Sequence, residues 1–487
     1  MAHSLGPPTP GPSGSFAHAA SSTQFSIDST GSRMVQRISR NGAGAEYDIA
    51  YAIGSGLHAV GFIVQLRDHL FQSPLCFYPG QGWGMAPGYE NSTAPDFYRP
   101  VMPECLFCHS GQSNPKPETL NSYQAPPFEA EGITCERCHG PSETHLRSPF
   151  PGSIINPSHL PPAARNSVCE QCHLSGEISI ANPNERVTDF RSGQTLEDVF
   201  SIYVFQRSLN PASVNPFKVI SQVHQLALST CARKSGDRLW CGTCHDPHEL
   251  PKDPVAYFRG RCLSCHGASL LRTHAKPNQD CIGCHMPRRP VTDGGHTTFT
   301  DHRITRTRPP DVEFSPIAAS DTIMPWREPP AKFADRNLGL AEINVGEKLK
   351  LPDLAAKGAR LLISSWTSLP QDAPALNGIG EVLFNLGRYE DSAAAYEQAM
   401  KVEPNLASNY LHAAVAWRAA HNDTKAIQYL QRTIELDPLI QEAYGELAGI
   451  YAERHETDQM RQTWKSLLDA FPKSIEAQLV MRKMPHP

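Results

Sequence analysis

Six pentapeptides of the form Cys-x-x-Cys-His set the organisation of the first two thirds of this chain. They are CLFCH (105–109), CERCH (135–139), CEQCH (169–173), CGTCH (241–245), CLSCH (262–266) and CIGCH (281–285). Histidine follows all six Cys-x-x-Cys pairs, although only 21 of the 487 residues are histidine. The histidine therefore belongs to the pattern.

This pattern is typical of c-type haem attachment. Two thiols three positions apart form thioethers with the two vinyl groups of one porphyrin, and the adjacent imidazole supplies the proximal iron ligand. The sequence predicts six covalent haems. The predicted attachment residues are Cys105, Cys108, Cys135, Cys138, Cys169, Cys172, Cys241, Cys244, Cys262, Cys265, Cys281 and Cys284. The predicted proximal ligands are His109, His139, His173, His245, His266 and His285.

Zinc and disulfides are the alternatives for a chain with 14 cysteines. A zinc site has no need of the following histidine. Zinc sites also pair their motifs compactly, whereas here the distance between successive first cysteines varies from 19 residues (262 to 281) to 72 (169 to 241). We therefore favour haem. Cys76 and Cys231 stand outside the pattern and are interpreted as small hydrophobic side chains.

A low-spin electron-transfer haem takes a second side-chain ligand, usually histidine. Nine histidines outside the motifs lie between residues 58 and 302, more than six haems require. As candidate distal ligands, His69, His159 and His274 rank below the other six histidines. The favoured distal ligands are His58, His145, His224, His248, His296 and His302.

Six porphyrins would themselves form the core of this region, so we expect a mainly α fold with much irregular structure. The 43 prolines, about 9% of the chain against a usual 5% or so, agree with this. We predict an irregular segment over 1–45 and a multihaem domain over 46–330. Residues 49–66 are uncharged, but three glycines, His58 and Gln65 argue against a membrane span. The net charge of −5 argues against a nucleic-acid partner.

The C-terminal part follows a 34-residue period. Pro370, Pro404, Pro438 and Pro472 are evenly spaced, and small and aromatic positions recur with them. This predicts an α-solenoid of tetratricopeptide repeats over 337–480. Its members are a degenerate repeat (337–372) and three regular ones (373–406, 407–440 and 441–474). Such a solenoid offers a groove for a peptide or protein ligand, although the repeats could instead only cap or dimerise the haem domain.

The whole chain resembles the multihaem c-type cytochromes that carry doubled CxxCH motifs and C-terminal tetratricopeptide repeats. The resemblance rests on stretches such as PECLFCHSG (103–111), CERCHGP (135–141), LWCGTCHDPH (239–248) and TDHRI (300–304). The haem part is similar to the superfamily of tetrahaem cytochromes, hydroxylamine oxidoreductase and pentahaem nitrite reductase. The resemblance implies stacked haems, mostly bis-histidine ligation, and electron transfer.

Two functions remain open. The chain is either an electron carrier that passes single electrons between redox partner proteins, or an oxidoreductase for a small nitrogen or sulfur species with one open haem. Only the second makes it an enzyme. Haem attachment outside the cytoplasm implies a periplasmic or cell-surface bacterial location. MAHSLGPPTPGPSGS (1–15) does not look like an export signal, so we expect Met1 to be an internal start or truncation.

Overall fold

The computed structural model describes residues 3–8, 12–31, 33–211, 216–267, 271–272, 274, 280–306, 317–318, 320–365 and 371–484. Contacts divide the chain into two compact units. Met1–Thr134 and Glu342–Pro487 form the first, called here the sheet-and-repeat unit. Cys135–Ala341 form the second, called the central unit. Pro370 of the 34-residue series lies outside the described residues.

Among the described residues, thirteen short strands build the N-terminal part of the sheet-and-repeat unit. They form antiparallel sheets in the orders β2-β3-β4-β5, β1-β6-β7-β8-β11, β9-β10 and β12-β13. The strands are β1 (Leu5–Gly6), β2 (Gly14–His18), β3 (Thr23–Thr30), β4 (Arg33–Arg40), β5 (Ala43–Asp48), β6 (Tyr51–Ile53), β7 (Gly61–Leu66), β8 (His69–Gln72), β9 (Leu75–Tyr78), β10 (Gly82–Met85), β11 (Arg99–Pro100), β12 (Gln112–Pro115) and β13 (Tyr123–Ala130).

The prediction of an irregular segment over 1–45 is wrong, because these residues contain most of a four-stranded meander. Phe25 and Ile27 alternate with polar residues along β3 and are buried. Asn41 and Gly42, with φ of 50° and 79°, connect β4 to β5. Asn-Gly with two positive φ angles is the preferred two-residue hairpin turn. Both signals were readable in the sequence.

The uncharged stretch 49–66 forms strands β6 and β7 with the loop between them. Phe62, Ile63 and Val64 of β7 are buried. In the part of the chain that the structure describes, no helix is both long and apolar enough to cross a membrane.

Tetratricopeptide-like helix pairs form the C-terminal part, as the 34-residue period predicts. Tyr396 packs directly over Gly380, where a Cβ atom would lie 2.9 Å from the tyrosine ring. The small and aromatic positions of the repeat therefore meet as partners. The sheet-and-repeat unit also contains helix α1 (Pro103–Phe107). The C-terminal helices are α10 (Ala334–Lys348), α11 (Pro352–Ser365), α12 (Ala373–Asn385), α13 (Tyr389–Val402), α14 (Ala407–Ala419), α15 (Asp423–Leu436), α16 (Gln441–Glu453), α17 (Thr457–Ala470) and α18 (Ile475–Lys483).

The N-terminal strands and the last repeat share one hydrophobic core. Phe71 of β8 stacks on Phe471 at 6.4 Å between ring centres. The Tyr47 hydroxyl donates to the Lys473 carbonyl at 3.0 Å. Trp464 joins the same cluster. Because of this core, contacts group the two ends of the chain together, and the units do not follow the boundaries predicted from composition.

The central unit combines short helices with two small sheets. Strand β15, FSIYVF, is buried along its whole length in a three-stranded sheet of order β14-β15-β18. The strands are β14 (Ile178–Ala181), β15 (Phe200–Phe205), β16 (Arg288–Pro290), β17 (Thr298–Thr300) and β18 (Ile323–Pro325). The helices are α2 (Glu136–His139), α3 (Glu143–Arg147), α4 (Pro162–His173), α5 (Gln222–Leu228), α6 (Thr230–Ser235), α7 (Cys241–Cys244), α8 (Pro254–His266) and α9 (Cys281–His285).

The first prediction concerns the shared core. Phe471→Ala should lower the free energy of unfolding by about 3–5 kcal/mol, because it removes a buried ring. Urea denaturation followed by circular dichroism measures this. Phe71→Ala should act on the same transition, and the double variant should lose less than the sum of the two, because the rings touch. Leu386→Ala, at a 61% exposed position of the repeats, is the control and should change little.

The second prediction concerns His69, which links β8 to the repeats. Its Nδ1 lies 2.8 Å from Asp68 and its Nε2 lies 3.2 Å from Asp437. Burial alone would lower the pKa of His69, but the hydrogen bond and charge of Asp437, with Asp68, raise it. Protonated His69 therefore stabilises the fold below its ordinary pKa of about 6.5, and this is lost as the pH rises through the folded value.

Measuring unfolding against pH for wild type and His69→Gln tests this. The stability difference should be largest at low pH and should shrink as the pH rises. Burial raises the pKa of Asp96, in the same core, to about 6, so Asp96 also makes stability depend on pH. Subtracting the stability of the variant from that of the wild type removes this contribution, because both proteins contain Asp96. A difference that does not change with pH would contradict the charged pairing.

Candidate functional site

Each of the six Cys-x-x-Cys-His motifs overlaps a helix. Helices α4, α8 and α9 contain a whole motif, whereas α1, α2 and α7 contain part of one, with Cys108, Cys135 and His245 at their caps. The two cysteines of each motif are three positions apart on a helical turn. Residues at this spacing lie on the same face. Asp280 caps α9 by accepting from the amides of Ile282 and Gly283. Each motif therefore presents two thiols side by side, as attachment to one planar group requires.

None of the 14 cysteines, all of which lie among the described residues, forms a disulfide. Among the described residues, no three of His, Cys, Asp and Glu come together as a structural zinc site would need. A haem iron takes two ligands from the chain, so that finding does not bear on haem. The motif cysteines are available for thioether bonds.

Most motif helices of the central unit bury none of their side chains. This holds for α2, α7, α8 and α9 among the residues described, and also for α3 and α6, which carry no motif. Nearby apolar side chains are exposed, with Leu146 at 76%, Phe150 at 54% and Leu250 at 85%. Short helices gain their stability by packing against other groups. These faces fit a large apolar body such as a porphyrin.

The orientation of the motif histidines also fits an iron ligand. His139 and His285 direct Nδ1 to the backbone carbonyls of Ile155 and Thr305, at 2.7 and 2.8 Å. Metal-ligating histidines usually donate their second ring N–H to such a group, which fixes the tautomer and leaves Nε2 for the metal. Partial burial lowers the pKa of His109.

Three motif histidines face a histidine from outside the motifs. Ring centres are 5.8 Å apart in His139–His248, 6.2 Å in His245–His302 and 6.1 Å in His274–His285. Two of the outer partners, His248 and His302, are among the favoured distal ligands. The third, His274, ranked below them on sequence grounds.

The remaining distal candidates have other neighbours. His145 Nδ1 lies 2.8 Å from the Ser153 hydroxyl. His224 has its Nε2 2.9 Å from the Ser208 carbonyl, leaving Nδ1 as its other nitrogen. His296 is exposed, and His58 lies on the loop between β6 and β7. Their predicted role as iron ligands stays a prediction.

The first motif lies in the sheet-and-repeat unit and the other five lie in the central unit. In the central unit, each motif has a thiol that interacts with a thiol of the next. For example, hydrogen bonding to Cys241 raises the pKa of Cys169. The four pairs are Cys138–Cys172, Cys169–Cys241, Cys244–Cys265 and Cys262–Cys281. The hydrogen-bonded pairs, Cys169–Cys241 and Cys262–Cys281, bring together the third motif with the fourth and the fifth with the sixth.

A buried ion-pair network holds the third motif, and sequence reasoning missed it. Glu170, between Cys169 and Cys172, is buried and lies 2.6 Å from Arg327. The Arg327 Nε atom also donates to Glu197 at 3.0 Å. Burial raises the pKa of Glu170, and Arg327 opposes that rise. No local pattern joins residues this far apart in sequence.

Part of the C-terminal region matches a known protein family. A family model described as tetratricopeptide repeat matches residues 373–406. No curated protein matches the chain. Among solved structures, MamA 41-end from Desulfovibrio magneticus RS-1 is 17% identical and covers 32% of this chain and 84% of its own, with a TM-score of 0.27. A MamA crystal structure is also 17% identical, covering 29% and 88%, at 0.26.

The APC/C hetero-tetramer Cut9-Hcn1 is 18% identical and covers 30% of this chain and 29% of that one, with a TM-score of 0.26. The family match and the 34-residue period show that the C-terminal part is a set of tetratricopeptide-like repeats, a fold that serves protein interaction.

The third prediction concerns Arg327. Arg327→Met leaves the buried carboxyl groups of Glu170 and Glu197 without their cation, and should lower the free energy of unfolding by about 3–5 kcal/mol. Denaturation at neutral pH measures the loss. The loss should shrink in acid, where the carboxyl groups become neutral. Arg186→Met, which breaks a surface pair with Asp189 at 3.3 Å, is the matched control and should cost below about 1 kcal/mol. Equal effects of the two variants would contradict the buried network.

Proposed function

We propose that the protein is a multihaem c-type cytochrome that transfers electrons through six covalently bound haems. The observation that carries this proposal is the set of six Cys-x-x-Cys-His motifs, together with the three motif histidines whose ring centres lie about 6 Å from those of outer histidines. Hydrogen bonds between thiols of different motifs, Cys169 with Cys241 and Cys262 with Cys281, would bring the attached haems close enough together for electrons to pass between them. Each haem, when bound, supplies a one-electron iron couple.

The chain's own residues hold and orient that group. The twelve motif cysteines would form the thioethers, and the six motif histidines would bind iron at Nε2. The carbonyls of Ile155 and Thr305 keep two of these imidazoles in the required tautomer. The half-buried and exposed faces of α2, α7, α8 and α9 would pack against porphyrin and would shield the irons from water.

The repeats indicate a role in protein interaction, and we propose that they dock a redox partner protein. The net charge gives no support for nucleic acid as a partner. Because c-type haem is attached on exported chains, we also propose a periplasmic or cell-surface location in a bacterium.

The fourth prediction tests the cofactor. When the chain is exported in a bacterium that attaches c-type haem, it should carry six haems, counted by pyridine haemochrome and intact mass. Cys138→Ser should turn two thioethers into one at a single haem, visible as a shifted haemochrome band. Cys231→Ser, outside the motifs, is the control and should leave all six haems unchanged. A wild-type protein with no covalent haem would overturn the proposal.

The spin state separates a carrier from an oxidoreductase. A carrier should show six low-spin ferric haems that do not bind cyanide. One high-spin haem that binds cyanide would identify an open iron and replace the carrier by the oxidoreductase.

A further inference from the structure

We infer that three haem irons of the central unit take their distal ligands from His248, His302 and His274. His248 would serve the haem of the Cys135 motif, His302 that of the Cys241 motif and His274 that of the Cys281 motif. The inference rests on the proposed function and adds which histidine faces which iron.

The distances between the imidazole rings support these pairs. Two axial imidazoles on one iron hold their ring centres about 6 Å apart, since each metal–nitrogen bond is about 2 Å and each ring centre lies about 1.2 Å beyond its nitrogen. The three observed separations are 5.8, 6.2 and 6.1 Å. The angles between the rings differ, at 19°, 30° and 64°, which is compatible with iron because each ring can turn about its metal–nitrogen bond.

The hydrogen bonds of the rings are a second and independent argument. In each pair, one member directs Nδ1 to a backbone carbonyl. These are His139 to Ile155, His302 to Thr300 at 2.9 Å, and His285 to Thr305. In the first pair, His248 also has Nδ1 3.3 Å from the Asp246 carboxylate. Nε2 is thus left for a metal, as in protein sites whose second ring nitrogen is anchored. A simple aromatic contact would not require this orientation.

The way in which each pair combines residues is a third argument. Each consists of one motif histidine and one histidine from outside all motifs. His248 comes three residues after the proximal histidine of the fourth motif but faces the second motif instead. One short segment, 245–248, would then ligate two different irons. It would hold those two haems as neighbours.

The fifth prediction uses single variants of the fully loaded protein. His248→Ala, His302→Ala and His274→Ala should each retain six haems, because the distal histidine takes no part in thioether formation. Each should convert one sixth of the haem from low to high spin, measured by electron paramagnetic resonance and magnetic circular dichroism. Added imidazole should restore the low-spin signal. His159→Ala, at an exposed position of the same unit, is the control and should remain fully low-spin.

Methionine variants keep the inference testable where an alanine variant fails to mature. His274→Met should give a six-haem protein with one histidine–methionine haem, recognised by its near-infrared charge-transfer band. Six haems with unchanged spectra in the His248, His302 and His274 variants would overturn the pairing and leave the proposed function standing. Conversion to high spin by His296→Ala, with none by His274→Ala, would overturn the third pair. Absence of haem from the wild type would overturn the proposed function and the pairing together.

Discussion

A helix of four or five residues has little stability of its own in water, and four of the helices near the motifs of the central unit, α2, α3, α7 and α9, are this short. The longer α8 also has little packing of its own, because none of its side chains is buried among the described residues. Such elements depend on what packs against their faces. Covalent attachment at two points, with an axial imidazole as a third, would anchor each helix to a rigid apolar plate. On the proposed function, the architecture of this region would depend on its haems.

The sheet-and-repeat unit is built on the opposite principle. Here the protein supplies its own core, and strands from the first 100 residues close the end of a solenoid formed by the last 150 or so. Phe71 and Phe471, Tyr47 and Lys473, and His69 and Asp437 are joined across most of the chain length. A solenoid needs its terminal repeat covered. The N-terminal sheets provide that cover, and the first motif, Cys105–His109, lies in this self-supporting unit.

Sequence reasoning succeeded where a signal is local. The 34-residue period predicted the repeats, and Tyr396 packing over Gly380 shows why small and aromatic positions recur together. It failed over residues 1–45, where the abundance of proline and glycine led to the prediction of irregular structure. Two signals of β structure were overlooked there: the alternation of Phe25 and Ile27 with polar residues, and the Asn41-Gly42 turn. Among the candidate ligands, His248 and His302 were favoured and face motif histidines, and His274, which ranked below them, also faces one. The Arg327 network was invisible, because its members come from distant segments.

The sequence by itself determined the local chemistry, which is six pairs of thiols three positions apart, each followed by an imidazole. It also determined a helical repeat with a fixed period of 34 residues. Both follow from spacing along a few turns of chain. Only the tertiary structure decided which histidines face one another, which carbonyls orient them and which ends of the chain share a core. Those choices depend on contacts between residues tens to hundreds of positions apart. Spacing along the chain does not specify such contacts, because they arise from the packing of whole elements.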